Sequence, residues 1–489
     1  MSSLRPDHLA GTIRRTDGKS NSSRAGAISR ARAYIDEGAF EAELARRVGF
    51  KTESQLLPAS QPELYRYLNE EMAPSFARMG FTTRIYDNPL PGQGPVLLAT
   101  RIEDAKLPTV LGYGHGDVIR GLEDQWTKGK GPWVTARDGD RVYGRGTADN
   151  KGQHTLNMAI LERVREERGG KLGFNVKFII ETGEEAGSKG LAELVAAHKA
   201  DFAADVLIAS DGPRVRPERP TITLGCRGAI NFDLVCDLRE GGHHSGNWGG
   251  LIANPGVILA HALAPIVGPS GELVVPALKA PPMTKAVKDS LADVDGGESG
   301  PDVDAWWGDA GLTPAERVYA SNVFNILAFT TGTPGRPVNA IPPKAVANCQ
   351  LRFVAGTSVD AVVPALQRHL DEKGFTTVKV MPPPAVNDGR FAATRTEPDH
   401  PWAAFAAQSL QRSANAKPAV VPQTGGSICN DIFTDILGIP TIWVPHSYQA
   451  CSQHAPDEHI LLSVFRSAAA VMAGLYWDIG EGKAPAVRS

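Results

Sequence analysis

Four short apolar runs, PTVLGYGH, VKFIIETGEE, DVLIASDG and PTIWVPHS, recur along the chain, and each ends in polar residues. Runs of this length, rich in Val and Ile and separated by helical stretches, predict buried strands of a mostly parallel sheet. Between the first two, NKGQHTLNMAILERVREERGG sets Leu156, Ile160 and Val164 on one stripe and stops at Gly169 and Gly170, which predicts a crossover helix. Nearer the N-terminus, a helix is expected over Ala27–Arg47, and PELYRYLNEEMAPSFARMGF continues its three- and four-residue spacing. The middle of the chain changes period. TITLGCRGAINFDLVCDL and VANCQLRFVAG alternate like half-exposed strands, and TSVDAVVPALQRHLDEKG reads as a helix. The expected class is therefore α/β: a mostly parallel sheet with helices on both faces, formed by residues 1–220 and 385–489, around a smaller inserted α+β unit at 221–384. The stretch SLADVDGGESGPDVDAWWGDAGLT reads as loop-rich, with no element assigned.

Composition narrows the class. A chain of 489 residues leaves room for two to four domains at about 150 residues each. Lys and Arg number 51 against 54 Asp and Glu, a net charge of −3, which argues against a nucleic-acid or membrane-surface partner. With 42% hydrophobic residues the chain is globular, and 51 glycines and 36 prolines imply many turns. Cys226, Cys236, Cys349, Cys429 and Cys451 lie far apart with no CxxC pair, as expected of a reduced, cytoplasmic setting. Residues 1–26 are polar and of mixed charge and read as a flexible leader rather than a signal peptide. No apolar stretch reaches the length of a membrane span.

The candidate chemistry gathers where the apolar runs end. His115, Glu184, Glu185 and Asp211 all follow strand-like residues, and in open α/β sheets ligands bind beyond the carboxyl ends of the strands. With Asp117, Asp149 and His454 they make a set of nitrogen and oxygen ligands suited to zinc, manganese or cobalt. Two His and three carboxylates would serve two metals if one carboxylate bridged. Two acidic residues then remain, and the chemistry has a use for a general base and for a carboxylate that orients a ligating His. Each piece alone also fits a bland role: a core histidine, a solvated Glu pair, or a turn at GRGTADNKG with Asp149 capping a helix.

The order of the motifs carries more. YGHGDV, YGRGTADNKG, ETGEEAGS, ASDG, HHSGNWGG, NAIPPKAVANCQLRFV, GGSICNDIF and QHAPDEH together resemble the dinuclear zinc metallopeptidases and deacylases, the family of carnosinase-type dipeptidases, carboxypeptidase G, aminoacylase and acetylornithine deacetylase. The resemblance runs from about Ala27 to the C-terminus, and YGHGD, Asp211 and GGSI look most like the carnosinase-type branch. It implies that His115 and Asp211 bind one metal, Glu185 and His454 the other, and that Asp149 bridges them. It implies further that Glu184 is the general base acting on the metal-bridging water, that Asp117 orients His115, and that His244 reaches the site of a partner subunit to stabilise the oxyanion. Arg352, Gly426 and Ser427 take the places where relatives hold a substrate carboxylate.

The resemblance thus implies a zinc-dependent dipeptidase or carboxypeptidase-like enzyme, with manganese and cobalt as alternative metals. It also implies a homodimer joined through the inserted lid and dimerisation unit. The alternatives are an N-acyl amino acid deacylase and a non-catalytic dimeric scaffold. A serine hydrolase built on Ser427 lacks the GxSxG elbow. Departures fall near the substrate: Cys429 stands where relatives often have Pro, Asp457-Glu458 where Asn-Glu is common, and Trp306-Trp307 has no counterpart.

Overall fold

The computed structural model describes residues 22–296, 301–382 and 391–486. Most of the expected leader lies outside the described residues. Helix begins at Arg24, with the Ser23 side chain accepting a hydrogen bond from the Gly26 backbone N–H. The single helix expected over Ala27–Arg47 is two: α1 (Arg24–Asp36) and α2 (Ala39–Val48). Between them Gly38 adopts a left-handed backbone, φ 77°, which glycine enters without steric cost and which ends a helix. The next helical stretch, Gln61–Arg78, contains a π-helical turn at Tyr67–Met72.

The strands of the large sheet are β1 (Thr82–Tyr86), β2 (Val96–Arg101), β3 (Thr109–His115), β4 (Asn175–Glu181), β5 (Val206–Ala209) and β6 (Thr221–Thr223). After the strands of a second sheet, β7 to β10, come β11 (Ala419–Val421) and β12 (Thr441–Trp443). Their order is β1-β2-β4-β3-β5-β12-β6-β11. The four central strands β4, β3, β5 and β12 are mutually parallel, as are β6 and β11, while β1/β2, β2/β4 and β12/β6 pair antiparallel.

Both faces of this sheet are covered, which is why the sequence shows continuous apolar runs rather than alternation. Val176, Phe178, Ile180, Val206 and Ile208 face α1, the crossover helix α3 (Lys151–Glu167), α6 (Pro401–Ala414) and α7 (Leu462–Gly480). Ile179, Leu207, Ala209 and Trp443 face the opposite way, onto Leu191, Leu194, Phe202 and Phe433. Leu156, Ile160 and Val164, the stripe expected on α3, are fully buried.

The smaller sheet has the order β8-β9-β7-β10 and is antiparallel throughout: β7 is Gly228–Asp237, β8 Val323–Thr331, β9 Lys344–Phe353 and β10 Val378–Met381. Ile230, Phe232, Leu234, Ala347 and Leu351 form its core with α4 (Pro255–Leu263) and α5 (Val359–Glu372). Thr221–Thr223, read from sequence as the start of the insertion, is instead a strand of the large sheet, paired with β11. The chain crosses between the sheets just beyond it, where Gly225–Cys226 pairs with Thr394–Arg395.

Two helices flank the stretch read as loop-rich, of which residues 297–300 lie outside the described residues. Helices Lys285–Leu291 and Pro314–Tyr319 bury Val287, Leu291, Ala315 and Tyr319 against Ala419 and Val421 of β11. They span from the smaller unit to the edge of the large sheet.

Candidate metal centre

The carboxyl ends of the central parallel strands place the candidate ligands. His115 is the last residue of β3, Glu184 and Glu185 begin a short turn just after β4, and Asp211 lies two residues past β5. Asp149 lies two residues before α3, and His454 comes from the loop before α7. His454 has a left-handed backbone, φ 59°, uncommon for a residue with a side chain and found most often where function requires it.

Asp149 sits between the two imidazoles. One carboxylate oxygen, Oδ1, lies 2.9 Å from His115 Nε2 and the other, Oδ2, 3.0 Å from His454 Nε2. His454 Nε2 is also 2.9 Å from Glu185 Oε2, and His115 Nε2 is 3.7 Å from Asp211 Oδ2. Two trios result, His115–Asp149–Asp211 and Asp149–Glu185–His454, each with its ligand atoms within 4.8 Å of one another. Asp149 belongs to both.

The donor chemistry fits a pair of divalent cations. Borderline nitrogen and hard oxygen donors are the set zinc, manganese and cobalt take, and the crowding of charge asks for cations. Burial and the neighbouring Asp149 push Glu185 up to about 7 and Asp211 up to about 6. Glu184 is raised well above the usual carboxylate range by burial, with Asp211 and Asp149 adding repulsion. The imidazoles carry the compensating protons. Hydrogen bonds to Asp149 and Glu185 push His454 up to about 10. For His115, burial works against the proton, but Asp117 and Asp149 outweigh it and raise the ring well above its ordinary value. Cations at both trios would take over the role of those protons.

Asp117 connects two parts of the site. Its carbonyl oxygen is 3.1 Å from His115 Nδ1, and its carboxylate accepts hydrogen bonds from the backbone N–H groups of Glu184 and Glu185, at 3.2 and 3.0 Å. It therefore sets both a ring orientation and the position of the Glu pair. Glu184 lines a cavity of about 370 Å³ together with Asp149, Asp211 and His454. Gly426 and Ser427 line the same cavity, and Arg352 reaches them from β9, with Nη1 donating to Ser427 Oγ at 2.9 Å. His244 is not brought to this cavity within one chain: it is exposed on the smaller unit, paired with Ala340.

Two buried acids went unassigned in the sequence. Glu458 accepts hydrogen bonds from the backbone of Gly146, Ala148 and Asp149 and from Arg145 Nη1, at 2.8 to 3.1 Å. It clamps the loop that presents Asp149. Glu181, at the end of β4, accepts from Tyr113 Oη at 2.6 Å and Ser188 Oγ at 3.0 Å, and Cys429 Sγ lies 3.5 Å away. Its place three residues before Glu184 was the one available signal.

Two ligand trios that share one carboxylate, set at the ends of parallel strands, are the arrangement a two-metal hydrolase requires. The sequence matches Peptidase family M20/M25/M40 over residues 111–478. The chain belongs to that family. It is 34% identical to the Beta-Ala-His dipeptidase of Rattus norvegicus over 208 residues, a stretch that spans only 41% of either protein. The human Beta-Ala-His dipeptidase is 27% identical over 461 residues, 87% of this chain and 88% of the human one. The fold is similar to that of the dipeptidase Dug1p of Saccharomyces cerevisiae, with a TM-score of 0.72 at 20% identity over 94% of this chain and 99% of the yeast one.

Proposed function

We propose that the chain is a two-metal amide hydrolase that cleaves dipeptides beside their free carboxylate, with zinc as the resident metal. The observation that carries this reading is the place of Asp149, one oxygen toward His115 and the other toward His454, with Glu184 beside them in the same cavity. His115 and Asp211 would hold one ion, Glu185 and His454 the other, and Asp149 both. Bound there, the ions would polarise the scissile carbonyl and lower the pKa of the attacking water.

The chain's own groups supply the rest. Glu184, held by the Asp117 contact to its backbone N–H, takes the proton of the water at its carboxylate and returns it to the departing amine. The raised pKa of Glu184 suits a group that must both accept and give that proton. Arg352 and Ser427 would hold the substrate carboxylate, a guanidinium offering two parallel N–H donors.

The large sheet and its helices, residues 221–223 included, would form the catalytic unit, and the smaller sheet with its helices, from Gly228 to Met381, the lid and dimerisation unit. A homodimer is supported by the apolar surface of the latter. β8 is an edge strand with Ile326, Leu327 and Phe329 exposed, and Trp248 and Leu251 are exposed on the same unit, a surface that proteins usually cover. His244 would then serve the second copy's site. Five free, buried cysteines support a reducing, cytoplasmic setting, and no helix among the described residues is long and apolar enough to cross a membrane.

The deciding experiment is Glu184→Gln. The variant is expected to bind two equivalents of metal and to lose nearly all hydrolysis of a dipeptide panel that includes N-acetyl amino acids. Near-normal turnover would remove Glu184 from its role. A wild type acting on the N-acetyl compounds alone would make the chain a deacylase.

A further inference from the structure

A second cavity, of about 490 Å³, lies in the smaller unit. None of the candidate metal ligands lines it, and Val318 is the one described residue that borders both this cavity and the one at the metal centre. Its walls come from segments outside both sheets: Leu273, Pro281, Pro282 and Met283 from one, Trp307 and Leu312 from the other. Trp307 is half-exposed. Its ring lies against Gly271, where a Cβ would collide with it. Arg317 pins the same loop, its guanidinium donating to the carbonyls of Trp307 and Asp309. An indole held in this way presents a fixed apolar surface to the cavity.

The charges around the cavity are unbalanced. Arg227, Lys279, Arg317 and Arg352 line it, against Glu272 and Asp309. Both acids serve their own turns: Glu272 accepts from the Ser270 N–H at 3.2 Å and Asp309 from the Gly311 N–H at 2.9 Å. Among the described residues, no carboxylate forms an ion pair with any of the four cations. Arg227 and Arg352 stand between the two cavities. Arg227 donates through Nε and Nη2 to the Gly425 carbonyl, and Arg352 through Nη1 to Ser427 Oγ and through Nε to Gln350 Oε1. Gly425 and Ser427 line the metal cavity, whereas the two guanidinium groups line the second one. Arg227 Nη1 and Arg352 Nη2 have no hydrogen-bond partner among the described residues. Burial and the neighbouring Arg352 push Arg227 down to about 10, as expected of two like charges held together without a counter-charge.

We propose that this second cavity binds a small organic anion, apolar at one end and carrying a carboxylate or phosphate at the other, with the anionic group on Arg227 and Arg352 and the apolar group against Trp307. A guanidinium binds either anion through paired N–H donors. An apolar cavity with a few converging polar groups is what small-molecule sites present. Occupancy has a consequence at the metal centre, and this part rests on the hydrolase reading. An anion on Arg352 neutralises the charge that would hold the substrate carboxylate beside Ser427. The ligand is therefore an inhibitor that raises KM and leaves kcat unchanged.

The test is calorimetry on the full, zinc-loaded chain with 3-phenylpropionate, phenyl phosphate and the uncharged 3-phenylpropanol, together with hydrolysis of the best dipeptide of the panel in the presence of each. At least one of the anions is expected to bind about tenfold more tightly than the alcohol, and the tighter of the two names the anionic group. Trp307→Ala should weaken that binding. So should Lys279→Glu, which reverses an exposed charge and leaves the packing of the Trp307 loop intact. Neither substitution touches the metal centre, so both variants should keep the basal kcat and KM while the inhibition fades. Absence of binding, or binding equal in wild type and both variants, would overturn the site, the second result placing the probes on the metals instead. A fall in kcat at constant KM would overturn the link through Arg352. If the anions bind and both variants weaken them, yet no dipeptide is hydrolysed, the hydrolase reading falls and the anion site stands.

Discussion

Glu458 shows how much of the site is set by a residue that touches no substrate. Its two oxygens accept from three backbone N–H groups and a buried arginine, so the loop carrying Asp149 is held from a point four residues beyond His454. Glu458→Gln keeps the shape but replaces one acceptor oxygen with a donor, leaving backbone N–H groups unpaired. The expected result is a loss of about 10–100-fold in metal affinity, read by competition with a chelator. Affinity equal to wild type would show that the loop holds itself. His115, Glu184, Glu185 and Asp211 were legible as candidates because each is a reactive side chain just after an apolar run, whereas Asp149 and His454 follow no such run. Glu458 was not, since its partners are mostly main-chain groups some 310 residues earlier, which leave no side-chain pattern.

At the level of elements, helices α1, α6 and α7 are joined through one carboxylate. Asp478 of α7 accepts from Ser409 Oγ, Arg412 Nη2 and Arg24 Nε, and its side chain is fully buried. Burial by itself would raise this carboxyl, but those hydrogen bonds outweigh it and hold it below its ordinary value. A depressed pKa gives stability that is present above the unfolded value, about 3.9, and that disappears as pH falls through the folded one. Asp478→Asn should therefore cost about 1.5–3 kcal/mol at neutral pH, seen as a lower Tm, and the gap from wild type should narrow below about pH 4. A gap that is constant with pH would assign the loss to packing. The central strands were readable because burial on both faces writes an unbroken apolar run. α7 gives no such sign: it is buried on nearly every side, so it has no stripe for periodicity to find. The division of α1 from α2 depends on Gly38 alone.

On the scale of the whole molecule, the two sheets and their separate cores followed from the change of period along the sequence. The bridge between them did not. Val287 and Leu291 bury against Ala419 and Val421, partners too distant in the chain for a local pattern to reveal. The exposed edge of the smaller sheet carries the prediction at this scale. Leu327, 58% exposed on β8, should be silent in a monomer and central in a dimer. Leu327→Lys is expected to turn a dimer into a monomer by light scattering while leaving the metal content unchanged. A monomeric wild type would refute the dimer.

His115 and His454 belong to one cluster although the whole smaller unit is threaded between them. During synthesis, the first ligands leave the ribosome long before the last, and the clamp at Glu458 emerges later still. A growing or prematurely terminated chain would thus possess the sheet, the crossover helix and even Glu184 without being able to hold both ions. Hydrolysis would begin only when the late loop closes over Asp149, so an unfinished copy of this enzyme would be inert rather than half-active.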